Sequence, residues 1–520
     1  MTESSAALSV GIAAPHEAAV RAGEEAVAAG GNAIDAALAA AGVLAVVYPH
    51  QCGLGGDLVA LVRGPDGDTT AIVSVGAAAK RVDVERLAEL GAMPRQGGDT
   101  VTVPGAVAGW TAAWHLGARL PLAGVFDRAA RLARDGFPVS PGLARAIEVR
   151  AEGIAADPGL ATVFMPDGRL LGSGDILVQE RLAETLDVLA VDPDEMYTGR
   201  IAESLAAGLE ERGSALRVDD FSAHRAETGS AITRSIGTAR WWVAPPPTQG
   251  VVLLGILPTA LESNVSVDGD AALLDVVLDA AVARQDNLGD PRTGPIDVER
   301  MLDPRAKPPL EPAPPGGRAL GDTVAIVAAD SEGRVVSIIQ SVYQLFGSGI
   351  LEPRTGIVLQ NRGSAFSVDP RHPGRIAPGS RPPHTLLPVI AETDGLRYGL
   401  GCQGGSAQPW ILAQVAADLL SSFTDPLEVL ARPRWVIGAR DIGHAELTLL
   451  AEPGCTVAVR AAGERGVPVD LRDGPLDEAG HVQVVRQYVD ARGREQMDAA
   501  SDPRADGTAR IVTPPPKEKS

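Results

Sequence analysis

Thr323 and Ser341 are the two hydroxyl residues whose setting could do chemistry. Thr323 opens the run Thr323-Val-Ala-Ile-Val-Ala-Ala329, Asp330-Ser-Glu-Gly333 makes a turn, and Arg334-Val-Val-Ser-Ile-Ile-Gln-Ser341 runs back. Two apolar, β-branched runs joined by a short polar turn read as a hairpin. Just upstream, positions 303–320 carry Asp303-Pro-Arg-Ala-Lys-Pro-Pro-Leu-Glu-Pro-Ala-Pro-Pro-Gly-Gly317. That composition suits a flexible linker and no packed core. A hydroxyl residue behind such a linker and heading a buried strand suggests a chain that cuts itself between Asp322 and Thr323. Cleavage there would free an α-amino group next to the Thr323 hydroxyl, and the amine could then serve as base for its own side chain. With the turn centred near Ser331-Glu332, Thr323 faces Gln340 or Ser341, depending on a one-residue bulge. Ser341 can therefore sit beside Thr323 and orient it. The same residues also suit an ordinary buried hairpin.

The elements that must position these residues can be read from periodicity. Helices are expected at Glu17–Ala29 and Ala33–Val46, separated by the stop Gly30-Gly31. The glycine loop Pro49-His-Gln-Cys-Gly-Leu-Gly-Gly56 precedes a strand at Leu58–Arg63 and another at Thr70–Val75. From Val103 to Leu320 the pattern is mainly helical, with periodic segments at Ala106–Ala118, Leu143–Ala155, Leu182–Leu189 and Ala271–Arg284, and a short strand beginning at Trp241. After the hairpin, strands are expected at Gly356–Leu359, Arg397–Leu400, Ala445–Leu450 and Thr456–Val459, with a helix at Pro409–Leu420. Helices and strands are segregated rather than alternated, which favours α+β layers over a doubly wound parallel sheet.

Gly53-Leu-Gly-Gly56 lacks the spacing of a dinucleotide fingerprint. Gly401-Cys-Gln-Gly-Gly405 follows a strand and precedes a helix, a turn that can aim backbone N–H groups at an oxyanion or simply reverse the chain. A net charge of −20 argues against nucleic acid or an anionic membrane as partner. Three scattered cysteines, Cys52, Cys402 and Cys455, form neither a disulfide framework nor a metal motif, and the eight histidines show no metal-ligand spacing. No metal and no cofactor is expected. No apolar run reaches about 18 residues and no leader segment is evident, so cytoplasmic residence is the expectation.

With these motifs in order, the chain resembles the γ-glutamyltranspeptidase family of N-terminal-nucleophile (Ntn) hydrolases. The blocks are Gly30-Gly-Asn-Ala-Ile-Asp-Ala-Ala37, Pro49–Gly56, Val101-Thr-Val-Pro-Gly-Ala-Val-Ala-Gly-Trp110, Asp322-Thr323, Phe346-Gly-Ser-Gly349, Gly404-Gly405 and Asp502-Pro-Arg-Ala-Asp-Gly507. The resemblance implies an αββα sandwich of two stacked sheets, built from two autoproteolytic subunits: a large one over 1–322 and a small catalytic one over 323–520. It also implies Thr323 as nucleophile, Ser341 as the hydroxyl that orients it, Gly404 and Gly405 as the oxyanion hole, and an acyl-enzyme on threonine passed to water or an amine.

Departures from the family pattern bear on the substrate. Tyr343, Arg362 and Ala365 stand where family members hold a glutamyl ammonium with Asn, Gln and Asp. The carboxylate-binding arginine of family members falls near Gly76, in Val73-Ser-Val-Gly-Ala-Ala78, and His384-Thr385 replaces two serines. A glutamyl head would lose its ammonium partners, and desolvating that group unpaired costs a few kcal/mol. Arg362 and His384 suit a carboxylate close to the scissile bond, although Arg362 also fits a structural ion pair, His384 a packing role, and Tyr343 a filler of the emptied pocket. The patterns Gln360-Asn-Arg-Gly-Ser-Ala-Phe366 and Arg381-Pro-Pro-His-Thr-Leu-Leu-Pro388 are similar to those of oxamate amidohydrolases. The expected function is hydrolysis of a small amide-like bond next to a carboxylate, on an oxamate-like or other short acyl substrate. Alternatives are γ-glutamyl or glutathione hydrolysis and transfer, cleavage of an activated C–C bond, and a non-catalytic binding homologue. Joint retention of Thr323, Ser341 and the glycine pair speaks against the last.

Overall fold

The computed structural model describes residues 8–263, 269–305, 322–439 and 442–514. The linker expected at 303–320 lies outside them from residue 306 onward.

Two antiparallel sheets form the centre. The first has seven strands in the order Thr508–Val512, Val10–Ala14, Asp322–Asp330, Val335–Tyr343, Asp57–Arg63, Thr69–Ser74 and Glu227–Ser230. The second has six, in the order Glu495–Ser501, Val482–Val489, Leu396–Cys402, Val389–Thr393, Ala239–Val243 and Ile232–Ile236. Each sheet mixes strands from before and after Thr323. Helices Glu17–Ala28, Ala33–Val47 and Ala106–Trp114 cover the outer face of the first sheet, and helices Gly250–Ser263 and Gln408–Leu419 that of the second, with helix Gly269–Asn287 packed on Gly250–Ser263. The α+β, αββα architecture of an Ntn hydrolase is therefore present.

Period-two alternation explains how the hairpin serves two layers at once. Val324, Ile326 and Ala328 join the core under the Ala33–Val47 helix. Ala325, Val327 and Ala329 join the core between the sheets. Thr323 has the second parity. In the return strand, Val335 and Ile339 face between the sheets, Ser337 Oγ donates to Leu400 O across the gap at 2.9 Å, and Gln340 points the other way. There the Gln340 amide accepts from Trp110 Nε1 at 2.9 Å and donates to Ala41 O at 3.0 Å, tying two motif-bearing helices to the strand.

Two local expectations differ, and one helix lies where no periodic segment was named. Thr456–Val459 lies in a helix, Thr456–Glu464, because Ala458, Ala461 and Ala462 make a buried stripe at helical spacing that outweighs the β-branched Thr and Val. The helix expected at Leu143–Ala155 is two, Pro141–Val149 and Ala151–Ala156, separated by a non-helical Arg150. Helix Gly250–Ser263 contains Pro258, which hid it from the periodic reading.

Candidate active site

The hairpin ladder pairs Val324 with Gln340 and Asp322 with Tyr343, so the register shifts between Gln340 and Tyr343. Thr323 thus lies opposite a bulge. Its hydroxyl donates to Ser341 Oγ at 3.3 Å, and both side chains are buried. Ser341 Oγ also accepts from the Tyr343 backbone N–H at 2.8 Å. Tyr343 itself has a left-handed conformation, φ 79°, unusual for a residue with a Cβ. Phe346, three residues on, has φ 56°. Such outliers persist where the surroundings over-determine them.

Tyr343 is held from its other side. The Arg362 guanidinium lies over its ring with Cζ 3.7 Å from the centroid, a cation–π geometry. Arg362 begins a one-turn helix, Arg362–Ala365, and is 2% exposed. Its Nη1 donates to Thr385 Oγ1 at 3.1 Å and its Nη2 to Pro383 O at 2.5 Å. Its Nε has no partner among the described residues. Burial, with Arg284 nearby, outweighs the favourable influence of Tyr343 and Asp57 and lowers the Arg362 pKa to about 10, so it remains a cation at neutral pH.

From Thr385 the contacts lead to the glycine turn. Gln249 Nε2 donates to Thr385 O at 2.6 Å and to Gly405 O at 2.9 Å. Gly404 has φ 144° and Gly405 φ 52°, and a Cβ on Gly404 would meet Ile411 Cδ1 at 2.4 Å. The turn ends strand Leu396–Cys402, whose Gly401 would place a Cβ 3.2 Å from that of Ala325, two residues from Thr323. Thr323, Ser341, Tyr343, Arg362, Thr385 and Gly405 therefore form one connected chain of contacts, with Gly404 next in sequence.

His384 sits beside this chain rather than in it. Its Nε2 pairs with Asp57 Oδ2 at 3.1 Å, and its Nδ1 accepts from the Leu386 N–H at 3.3 Å, which fixes a neutral imidazole carrying its proton on Nε2. Burial first, and Arg362 second, lower its pKa to about 4. Asp57 Oδ1 further accepts from Gly76 N and Gln360 Nε2, each at 3.0 Å. Gly76 itself can bear no side chain, because a Cβ would fall 1.5 Å from Val103 O.

Asp57, Gln249 and Gln360 had not been singled out in the sequence. Each had a signal: a carboxylate directly behind Gly53-Leu-Gly-Gly56, an amide after Pro245-Pro-Pro-Thr248, and an amide opening Gln360-Asn-Arg362. Among the described residues no group of three or more His, Cys, Asp or Glu is placed to hold a metal, and no helix is long and apolar enough to cross a membrane.

The gamma-glutamyltranspeptidase family model matches residues 19–512. The chain is 35% identical to the oxamate amidohydrolase proenzyme of Klebsiella pneumoniae, over 95% of this chain and 97% of that protein. It is 33% identical to the glutathione hydrolase-like YwrD proenzyme of Bacillus subtilis, over 96% and 97%. Among solved structures, the cephalosporin acylase of Bacillus halodurans superposes with a TM-score of 0.85 at 28% identity, covering 97% of this chain and 96% of that one.

Proposed function

We propose that this chain, which belongs to the γ-glutamyltranspeptidase family and is an Ntn-type hydrolase, processes itself at Asp322–Thr323 and then hydrolyses a small amide next to a carboxylate. The Thr323 hydroxyl attacks the Asp322 carbonyl carbon, the C–N bond breaks, and the peptide nitrogen takes the proton to become the α-amino group. Water cleaves the resulting ester. In turnover the freed amine accepts the Thr323 hydroxyl proton as the oxygen attacks the substrate carbonyl, and it returns that proton to the leaving amine. Ser341 holds the hydroxyl in line, the N–H groups of the Gly404-Gly405 turn receive the oxyanion, and water resolves the acyl-enzyme. The large and small pieces, 1–322 and 323–520, remain associated.

One observation carries the substrate reading. A buried cation, Arg362, lies across Tyr343, whose own N–H holds the Ser341 hydroxyl beside Thr323. The space beside the Thr323 and Ser341 hydroxyls is thus bounded by an aromatic ring with positive charge stacked on it. A glutamyl ammonium near it would meet like charge at about 5 Å, which costs about 3 kcal/mol at an effective dielectric near 20. A carboxylate gains a charge-assisted partner instead. Thr385 holds the Arg362 guanidinium, and His384 acts by holding Asp57 and its own loop. The oxamate amidohydrolase name of the Klebsiella relative agrees with this substrate class.

The test pairs a gel with an assay. Wild-type protein should run as bands of about 33 and 20 kDa and hydrolyse oxamate-like amides well and glutathione poorly. Thr323→Ala should stay a single band with no turnover. Processing that persists in Thr323→Ala, or efficient glutathione hydrolysis by wild type, would overturn the reading.

A further inference from the structure

Asp57 is a buried carboxylate with no part in the bond-breaking steps above. It opens strand Asp57–Arg63 and pairs with Ser341 across the ladder. Val59 and Leu61, of the same parity, join the core between the sheets, as do Val335 and Ile339, which share the parity of Ser341. Asp57, Ser341 and Thr323 therefore stand side by side on three adjacent strands, each with the parity that faces the layer between the sheets. Asp57 is fully buried, and among the described residues its one ion-pair partner is the neutral His384. A carboxylate taken out of water needs donors where it has no cation.

Asp57 has three. Its Oδ1 accepts from Gly76 N–H and Gln360 Nε2, each at 3.0 Å, and its Oδ2 from His384 Nε2 at 3.1 Å. Two of these donors belong to the segments that meet at Arg362. Gln360 lies two residues before it. His384 lies between Pro383 and Thr385, whose backbone and hydroxyl oxygens take the two guanidinium Nη groups. One carboxylate thus ties both the backbone that carries Arg362 and the segment that receives its guanidinium to the strand beside Ser341.

We propose that Asp57 is a positioning residue: through Gln360 and His384 it sets the place of the Arg362 guanidinium relative to the Thr323 hydroxyl. This role rests on the pairing of Arg362 with a substrate carboxylate proposed above, and adds the group that fixes it in place. A carboxylate is required because all three partners donate. Asparagine has the same shape but a single accepting oxygen. With that oxygen toward Gly76 and Gln360, its Nδ2–H would face the Nε2–H of His384. Moving the His384 proton to Nδ1 would only transfer the clash to the Leu386 N–H, which donates there at 3.3 Å. Turned the other way, the amide N–H would meet the Gly76 N–H. One tie is lost in either orientation.

The test is a double-mutant cycle on acidic and neutral versions of one amide, with Asp57→Asn and Arg362→Ala, singly and together, in the full-length chain after processing. Asp57→Asn should raise KM for the acidic amide about tenfold or more beyond any change for the neutral one, the scale of a misplaced binding group. In Arg362→Ala the same substitution should add no further selective loss, because its effect passes through the guanidinium. His384→Gln, whose amide can still donate to Asp57, should keep more of the selectivity than His384→Leu, which has no donor. Unchanged selectivity in Asp57→Asn, or a selective loss that adds in full to that of Arg362→Ala, would overturn the proposal. Should Asp57→Asn fail to fold, equal selectivity in the two His384 variants overturns it instead. A wild type that does not distinguish the two amides would sink the substrate reading itself. The crystal structure of Asp57→Asn then decides the role of Asp57, an unmoved Arg362 guanidinium refuting it.

Discussion

Arg362→Ala separates a substrate-binding role for the guanidinium from a structural one. In the folded protein this side chain has three jobs on view: it lies over Tyr343, it binds Thr385 Oγ1, and it binds Pro383 O. A fourth, pairing with a substrate carboxylate, belongs to the proposed function. Truncation removes the first three for every substrate and the fourth only for acidic ones. A hydrogen bond to a charged group contributes about 1.5–3 kcal/mol. The kcat/KM of an amide bearing a carboxylate should therefore fall about 10- to 150-fold further than that of its neutral ester or amide analogue. Most of the extra loss should appear in KM. Arg362→Lys keeps the charge but not the planar fork or the stacking face, so it should recover only part of the difference. The assay is a matched pair of substrates, acidic and neutral, measured on wild type and both variants. Equal losses on the two substrates would refute the electrostatic reasoning and leave Arg362 as a brace for Tyr343 and the Pro383–Thr385 segment.

Ser341→Ala should leave the fold intact and slow turnover about 10- to 1000-fold, through loss of the bond that orients Thr323; wild-type rates would show that the 3.3 Å contact has no kinetic role. Acid should destabilise the protein through its buried neutral histidines. Burial lowers the His384 pKa from 6.5 to about 4 and that of His50 to about 3. The unfolded chain binds those protons first, so the stability they contribute is complete above pH 6.5 and drains away as pH falls through that window. Between pH 6.5 and 4.5 the loss should be about 2–3 kcal/mol for each. Urea denaturation at the two pH values reads it, and His384→Gln should have the shallower dependence; an equal slope in wild type and variant would exclude His384 as a contributor.

How far the sequence could be read depended on whether a feature was local. The hairpin, the bulge near Ser341 and the first two helices follow from short-range pattern, and the structure has them within a residue or two. The two stacked sheets came from the ordered motifs, since no single strand announces its partner. What stayed hidden is long-range. Asp57 gains its three donors only when residues 76, 360 and 384 converge, and Gln249 bridges Thr385 and Gly405 from a loop more than a hundred positions away. The helix at Thr456–Glu464 went to the wrong class because β-branched residues were weighed above the alanine stripe they accompany. Gly76 is instructive in another way. The family's arginine was expected near this position, and at Gly76 itself packing leaves no room for any side chain, since Val103 O occupies the place where a Cβ would begin.

Both sheets interlace the stretches before and after Thr323. Strand Asp322–Asp330 lies between Val10–Ala14 and Val335–Tyr343, and the latter pairs with Asp57–Arg63 over seven positions, Val335 to Ser341. In the second sheet Val389–Thr393 pairs with Ala239–Val243. A cut before Thr323 would leave every one of these ladders in place, so the native molecule would hardly register the broken bond. The unfolded state would register it fully. One tethered chain would become two, and finding the partner strands again would turn from a first-order search within a molecule into a second-order encounter in solution. Processing would thereby act as a one-way latch: assembly happens once, while the halves are still joined, and a processed molecule that melts at low concentration has lost the connection that first brought its two sheets together.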